Sequence, residues 1–230
     1  MNGNGGELRF RHEMKHIINP MDRLMLRQRL RAVAQTDPHA SGGVYHIRSL
    51  YFDNIYDKAL TEKTEGTSKR EKFRIRYYNR DTGFIHLEKK SKIVNLCNKQ
   101  SARITAEEAD RIVNGELDWM VYSDKPLVRE LYTKMRSQGL KPRTIVDYTR
   151  DPYIYEPGNV RITIDYDIRT GLRCTDFLNR DCVTVPAGDP VIILEVKWDE
   201  YLPDIIRDII QLKDRRTGGF SKYAACRLYM

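Results

Sequence analysis

Arg74 and Arg76 in "FRIRYY", Glu88 and Lys90 in "HLEKK", Arg161 and Asp165 in "VRITID", and Glu195 and Lys197 in "ILEVK" share one property of spacing. The members of each pair are an even number of residues apart, so in an extended chain both point to the same side. Guanidinium groups hold phosphate oxygens bidentately, and carboxylates hold hard divalent cations such as Mg²⁺ or Mn²⁺. Phosphoryl transfer asks little covalent chemistry of a protein and much charge neutralisation. No Ser/His/Asp or Cys/His arrangement and no G-x-x-x-x-G-K-[ST] loop offers a competing chemistry. His12, His16, His46 and His86 do not cluster as ligands, and Tyr51-Phe52-Asp53 reads as a strand end and turn.

The elements that position these groups are strands with one ionised and one apolar face. The ionised faces collect Arg11, Glu13 and Lys15; Arg74 and Arg76; Glu88 and Lys90; Arg103; Arg161, Asp165 and Asp167; Glu195 and Lys197. The opposite faces hold Phe73, Ile75 and Tyr77; Ile162, Ile164 and Tyr166; Leu194, Val196 and Trp198. One such strand is an ordinary wet sheet edge. Eight basic and five acidic groups together are not, because ordinary wet faces mix in Thr, Ser and Gln. On a convex surface the charges would stabilise little, since exposed ion pairs are worth roughly 0–1 kcal/mol. Around a water-filled cavity they make a focused positive field suited to a polyphosphate and its metal.

Helices must cover the apolar faces. Asn19-Pro20 reads as N-cap and first residue of a helix to about Val33. A short helix is expected near 55–63. Thr105 and Glu108 form a capping box for a helix through about Asn114. Pro126 and Gly139 bracket another, and "LPDIIRDIIQLKDRR" is the last, with Leu202, Ile205, Ile206, Ile209 and Leu212 as its apolar face. "FRIRYYN" and "GFIHLEKKS" predict a hairpin around "RDTG", and "CVTVPAG" a strand. The fold class is α+β: a mostly antiparallel sheet with helices against it, in one domain over 1–230, with 1–7 as a flexible tail.

The 230 residues carry a net charge of +8, which favours anionic partners. The start has no apolar segment of the signal-peptide type, no stretch reaches membrane-span length, and Cys97, Cys174, Cys182 and Cys226 form no C-x-x-C pair. Reduced thiols in a cytoplasmic protein are the expectation, with a Cys174–Cys182 bridge as the alternative that the compartment disfavours.

"SLYFDN", "FRIRYY", "HLEKK", "VRITID", "ILEVK" and "FSKY" occur in the order seen in the triphosphate tunnel metalloenzyme (CYTH-like) superfamily. The chain resembles most the polyphosphate polymerase domain of the vacuolar transporter chaperone (VTC) type, from about Phe10 to Tyr223. Only Glu13 and Lys15 remain of the E-x-E-x-K opening usual in the adenylate-cyclase and thiamine-triphosphatase branch. The resemblance implies a closed antiparallel β-barrel, a tunnel lined by the ionised faces with helices outside. It implies an ATP-dependent polyphosphate polymerase with Mn²⁺ or Mg²⁺ as cofactor, and ATP or another triphosphate and inorganic polyphosphate as partners. Carried over by position, Lys15, Arg74, Arg76, Lys90, Arg161 and Lys197 match phosphate-binding residues, with Arg74, Arg76, Lys90, Arg161 and Lys222 at the reacting groups. Lys99 and Arg103 match a basic pair on the next strand, Ser221 and Lys222 a C-terminal phosphate-contacting segment, and Tyr148 and Arg150 a Y-x-R strand. Glu195 matches the metal-binding glutamate, with Glu88 and Glu13 as second candidates.

One departure is Gly218-Gly219, where the eukaryotic polymerases carry a basic residue; Arg215 and Arg216 are the candidates to compensate. Without the membrane-spanning domains of those proteins, coupled transport is not implied for this chain alone. A triphosphatase or polyphosphatase, and a non-catalytic polyanion-binding module, are the competing readings. Nucleic acid is disfavoured, because the aromatics mostly alternate onto apolar faces rather than forming a stacking platform.

Overall fold

The structure is a computed structural model that describes residues 11–93, 96–212, 215 and 218–228. The expected N-terminal tail and Arg216 lie outside the described residues, as does the Cys97 side chain.

In chain order the main elements are β1 (His12–Ile18), α1 (Pro20–Val33), β2 (Gln35–Thr36), β3 (Tyr45–Asp53), α2 (Lys58–Thr64), β4 (Lys69–Tyr78), β5 (Asp81–Ile93) and β6 (Leu96–Ile104). They continue with α3 (Ala106–Asn114), α4 (Pro126–Gln138), β7 (Lys141–Tyr155), β8 (Val160–Thr170), β9 (Val185–Pro186), β10 (Ile192–Trp198), α5 (Asp204–Ile210) and α6 (Lys222–Arg227). The helix starts follow the caps read from the sequence. Asn19 and Asp22 exchange side-chain and backbone hydrogen bonds at α1, and Thr105 and Glu108 do the same at α3. Gly139 ends α4 at φ +67°, a left-handed conformation glycine adopts without strain.

The sheet order is β1-β10-β8-β7-β3-β4-β5-β6, with antiparallel neighbours throughout. Outward-facing residues form two cores. Phe73, Ile75, Ile85 and Leu87 pack beneath α3 and α4 with Ile112, Val128 and Leu131. Ile162, Ile164, Leu194 and Val196 pack beneath α1 and α5 with Leu26, Leu30 and Ile206.

β1 and β5 are six strand spacings apart in this order. In a flat sheet that would be roughly 29 Å. Lys90 Nζ of β5 nevertheless lies 3.4 Å from Glu13 Oε2 of β1. The sheet therefore curls until its two sides face each other across a charged interior. Closure by hydrogen bonds, expected from the family resemblance, is not observed: among the described residues no ladder joins β6 to β1. The Gly218 N–H donates to the Lys15 carbonyl (3.1 Å), so a C-terminal segment lies on a β1 backbone group instead.

Other expectations need correction. The β4–β5 turn is centred on Asn79 and Arg80, both at positive φ, so "RDTG" begins too late. "CVTVPAG" contributes only the two-residue β9. α5 is shorter than read, and it buries Ile206 and Ile210 while Ile205 is exposed. Helices are not confined to the outside. α6 packs Tyr223 and Cys226 against the inner-facing Ile47, Val146, Ile168 and Ile193. Asp167 leaves the ionised face because it is the extra residue of a bulge (φ +49°), where the β7–β8 register shifts. The bulge turns Asp167 to solvent and Ile168 inward. Cys174 and Cys182 lie side by side as thiols, Sγ atoms 2.8 Å apart.

Candidate functional site

Strand alternation aims three charged clusters at the interior, each built from two or more strands. The first spans the seam between β1, β10 and β5. Lys15 Nζ is 2.8 Å from Glu13 and 3.3 Å from Glu195. Lys197 contacts Glu195 and lies 3.6 Å from Glu13, and Lys90 reaches Glu13 from across the seam. Burial pushes the Glu195 carboxyl up, but Lys197, Lys15, Arg150 and Lys222 outweigh it and hold it well below the usual range. Glu13 is lowered too: Lys15, Lys90 and Lys197 overcome burial and the neighbouring Glu195.

The second cluster centres on Glu88. Arg74 pairs with it at 2.7 Å, Lys99 at 2.5 Å, and Arg76 stands 3.7 Å away. Against the effect of burial, Arg74, Arg76 and Lys99 hold this carboxyl far below its ordinary value. Arg76, 4% exposed, is otherwise held by neutral groups. It donates to Ser49 Oγ (3.0 Å), the Tyr78 hydroxyl (3.2 Å) and the Tyr148 hydroxyl (3.0 Å).

In the third cluster, Asp165 is fully buried. It accepts from Arg150 Nε (2.6 Å) and Nη2 (2.9 Å), and from Lys222 Nζ (2.5 Å). Burial raises this carboxyl, but Arg150 and Lys222 bring it to about 2. Lys222 also lies 4.6 Å from the Tyr148 ring centroid, so α6 reaches into the interior.

Cations outnumber carboxylates in the interior, and the excess borders an open cavity of about 460 Å³. Its walls include Glu13, Lys15, Lys63, Arg70, Lys72, Lys90 and Lys92, with Gly218, Gly219, Phe220 and Ser221 on the C-terminal side. Lys63 Nζ donates to the Gly219 carbonyl (3.0 Å), so a helix α2 lysine stands where the departure at Gly218-Gly219 leaves no cationic side chain.

Most sequence-predicted residues converge. Glu13, Lys15, Lys90, Glu195 and Lys197 form the first cluster, Arg74, Arg76, Glu88 and Lys99 the second, and Arg150 and Lys222 the third. Ser221 caps α6, accepting from the Ala224 N–H (3.3 Å), and borders the cavity. Two do not join them. Arg161 is exposed at one end of β8, opposite Lys197 in register. Arg103 is exposed on β6, its guanidinium carbon 4.9 Å from the Phe84 ring centroid. Sequence reasoning missed Lys72, although "EKFRIRYY" places it on the face of Arg74 and Arg76. It also treated Tyr51 as a strand end. Tyr51 is buried, and its hydroxyl accepts from Arg74 Nη1 (2.7 Å). Burial pushes this phenol up, but Arg74, Lys72 and Arg76 bring it down to about 7. Burial lowers Lys72 to about 8; Arg74, Lys90 and Lys15 add to the effect and Tyr51 opposes it.

Among solved structures, the chain is similar to a putative adenylate cyclase from Bacillus halodurans (12% identity, TM-score 0.48, covering 83% of this chain and 80% of that one). It is likewise similar to the PH1012 protein of Pyrococcus horikoshii OT3 (14%, 0.47, 90% and 94%) and the PH1819 protein of the same organism (15%, 0.44, 87% and 84%). No curated protein matches it. The VTC domain model matches residues 10–230, nearly the whole chain, and the chain belongs to the VTC domain family.

Proposed function

We propose that this domain transfers phosphoryl groups from a nucleoside triphosphate to a growing inorganic polyphosphate, with a divalent metal as cofactor. The observation that carries the reading is the separation of the interior into an arginine-rich cluster around Glu88, read as a phosphate cradle, and the Glu13–Glu195 carboxylate pair. Arg76 is the core of the cradle. Neutral hydroxyls position it, so its charge is only partly met by Glu88 and is available to an incoming oxyanion. Arg74, Lys72, Lys90, Lys99 and Lys222 extend the field along the interior.

Glu13 and Glu195 fit a hard metal. Among the described residues no three metal-ligating side chains group into a cage. A magnesium-type ion needs only one or two carboxylates when phosphate oxygens supply the rest of its shell. Glu13 and Glu195 share Lys15 and Lys197 between them, so cations already bridge this pair. Glu88 is instead enclosed by Arg74, Lys99 and Arg76 and acts as their positioning group. When bound, a divalent metal on Glu13 and Glu195 would supply neutralisation of the phosphate charge.

The chain's own residues do the remainder. Arg74 and Arg76 bind and orient the phosphates, and Lys72 and Lys90 draw the polyanion in from the cavity. Arg150 and Asp165 fix Lys222 facing the cradle. The acceptor oxygen is then held in line with the leaving group.

Incubation of the full chain with ATP and Mn²⁺, followed by a polyacrylamide gel and an inorganic-phosphate assay, tests this. Long polyphosphate is expected. Phosphate release without polymer would assign a triphosphatase instead, and neither product would leave a polyanion-binding module.

A further inference from the structure

At one end of the interior an aromatic side chain faces the wrong way for packing. Phe84 shares the inner face of β5 with His86 and Glu88, whereas its neighbour Ile85 is fully buried outside with α3 and α4. Phe84 is 44% exposed, although it sits on the charged side of the sheet. Its ring lies edge-on to His86 (centroids 4.7 Å apart, 75° between planes), and the Arg103 guanidinium stands 4.9 Å from its centroid. Arg103 also donates to the Gly83 carbonyl (3.3 Å), and His86 Nδ1 is 3.1 Å from Ser101 Oγ. The group is thus fixed by its own contacts while the Phe84 side chain remains exposed.

Its distance from the phosphate cradle is set by the strand. Arg76 is opposite His86, and Arg74 opposite Glu88. Phe84 is four residues from Glu88, roughly 14 Å along an antiparallel strand, and one inner-facing step beyond His86. A phosphate chain held by Arg74 and Arg76 therefore has its end within reach of Phe84. An inorganic chain has no use for an exposed aromatic ring beside a guanidinium plane, but a nucleoside does: every base has a π-face that stacks on such groups.

Resting on the triphosphate reading above, we propose that Phe84, flanked by His86 and Arg103, is the nucleobase platform of this site, so that the triphosphate it takes is a nucleoside triphosphate. Stacking without a fixed hydrogen-bond reader makes the platform tolerant of base identity, and ATP and GTP bind alike.

The test compares ATP with tripolyphosphate by calorimetry on the full chain and on Phe84→Ala and Phe84→Trp. Because Phe84 is exposed and outside the buried cores, both variants fold. Phe84→Ala is expected to bind ATP about tenfold more weakly, a typical stacking loss, with tripolyphosphate affinity unchanged. Phe84→Trp retains ATP binding, and ATP, unlike tripolyphosphate, quenches the emission of the new indole. Equal losses for both ligands in Phe84→Ala, or no loss of ATP affinity, would overturn the platform while leaving the phosphate cradle standing. A parent chain that binds neither ligand would overturn both.

Discussion

Glu195 and Tyr51 are the single side chains at which the proposed chemistry is most directly tested. Glu195 is 7% exposed and meets two lysines, so an uncharged amide of the same shape removes charge without removing volume. Glu195→Gln is expected to keep its circular dichroism spectrum and lose turnover by at least about a hundredfold, more than the 10–100-fold typical of outer-shell changes at metal sites. EDTA should reproduce that loss in the parent. Full activity in the variant would remove Glu195 from the metal site. Tyr51 and Lys72 are the groups expected to set the response to pH near neutrality. Both lose protons as pH rises, Tyr51 passing from neutral to negative at about 7 and Lys72 from positive to neutral at about 8. The interior therefore becomes less positive between pH 6 and 9, and tripolyphosphate affinity should fall across that window. Tyr51→Phe removes the first of the two steps and should flatten the profile near neutrality. Identical slopes in parent and variant would show that the phenol keeps its proton.

α6 is the element that joins stability to the site. Its Tyr223 hydroxyl donates to Asp53 Oδ2 (2.7 Å). Asp53 in turn accepts from the Ala59 and Leu60 N–H groups at the start of α2. Tyr223 stacks on Tyr51 with centroids 5.0 Å apart, and Lys222, the adjacent residue, pairs with Asp165. Removing the ring should unseat α6: Tyr223→Ala is expected to cost about 3–5 kcal/mol in chemical denaturation, as for other large buried aromatics. Tyr223→Phe keeps the ring and loses one hydrogen bond, for about 0.5–1.5 kcal/mol. The alanine variant should also weaken tripolyphosphate binding, because Lys222 loses its support. Unchanged stability in the alanine variant would mean that α6 does not hold this end of the interior.

At the scale of the whole molecule, the interior holds more positive charge than its carboxylates balance, and a polyanion relieves the imbalance. Arg76 is the sharpest probe: burial and the nearby Arg74 oppose its charge, and Tyr148, Tyr78 and Glu88 outweigh them and keep the buried guanidinium charged. At saturation about a hundredfold above Kd, a ligand adds roughly 2.7 kcal/mol to the stability of the folded state. For a chain of this size that is a rise of about 5–10 °C in Tm. Tripolyphosphate should raise the parent Tm by this amount at physiological ionic strength and that of Arg76→Ala much less. Equal shifts that vanish with added salt would mean that the charges are solvated and screened rather than enclosed.

The sequence by itself determined the parity of most of the long strands and the ends of α1, α3 and α4, because both depend on neighbours within a few residues. Alternation put Arg74, Arg76, Glu88, Lys90, Glu195 and Lys197 on one face, and local capping chemistry marked α1, α3 and α4. It could not determine which faces meet. The approach of Glu13 to Lys90 depends on sheet curvature summed over six strand spacings, and the Lys222–Asp165 pair joins residues 57 positions apart. A single bulge at Asp167 reversed the parity of the residues after it, which no alternation pattern announces. Only the tertiary structure turned Tyr51 from a strand end into part of the cradle, for its environment comes from β4 and α6. Charge along a strand is local information, whereas the field inside a curled sheet is a sum over strands remote in the chain.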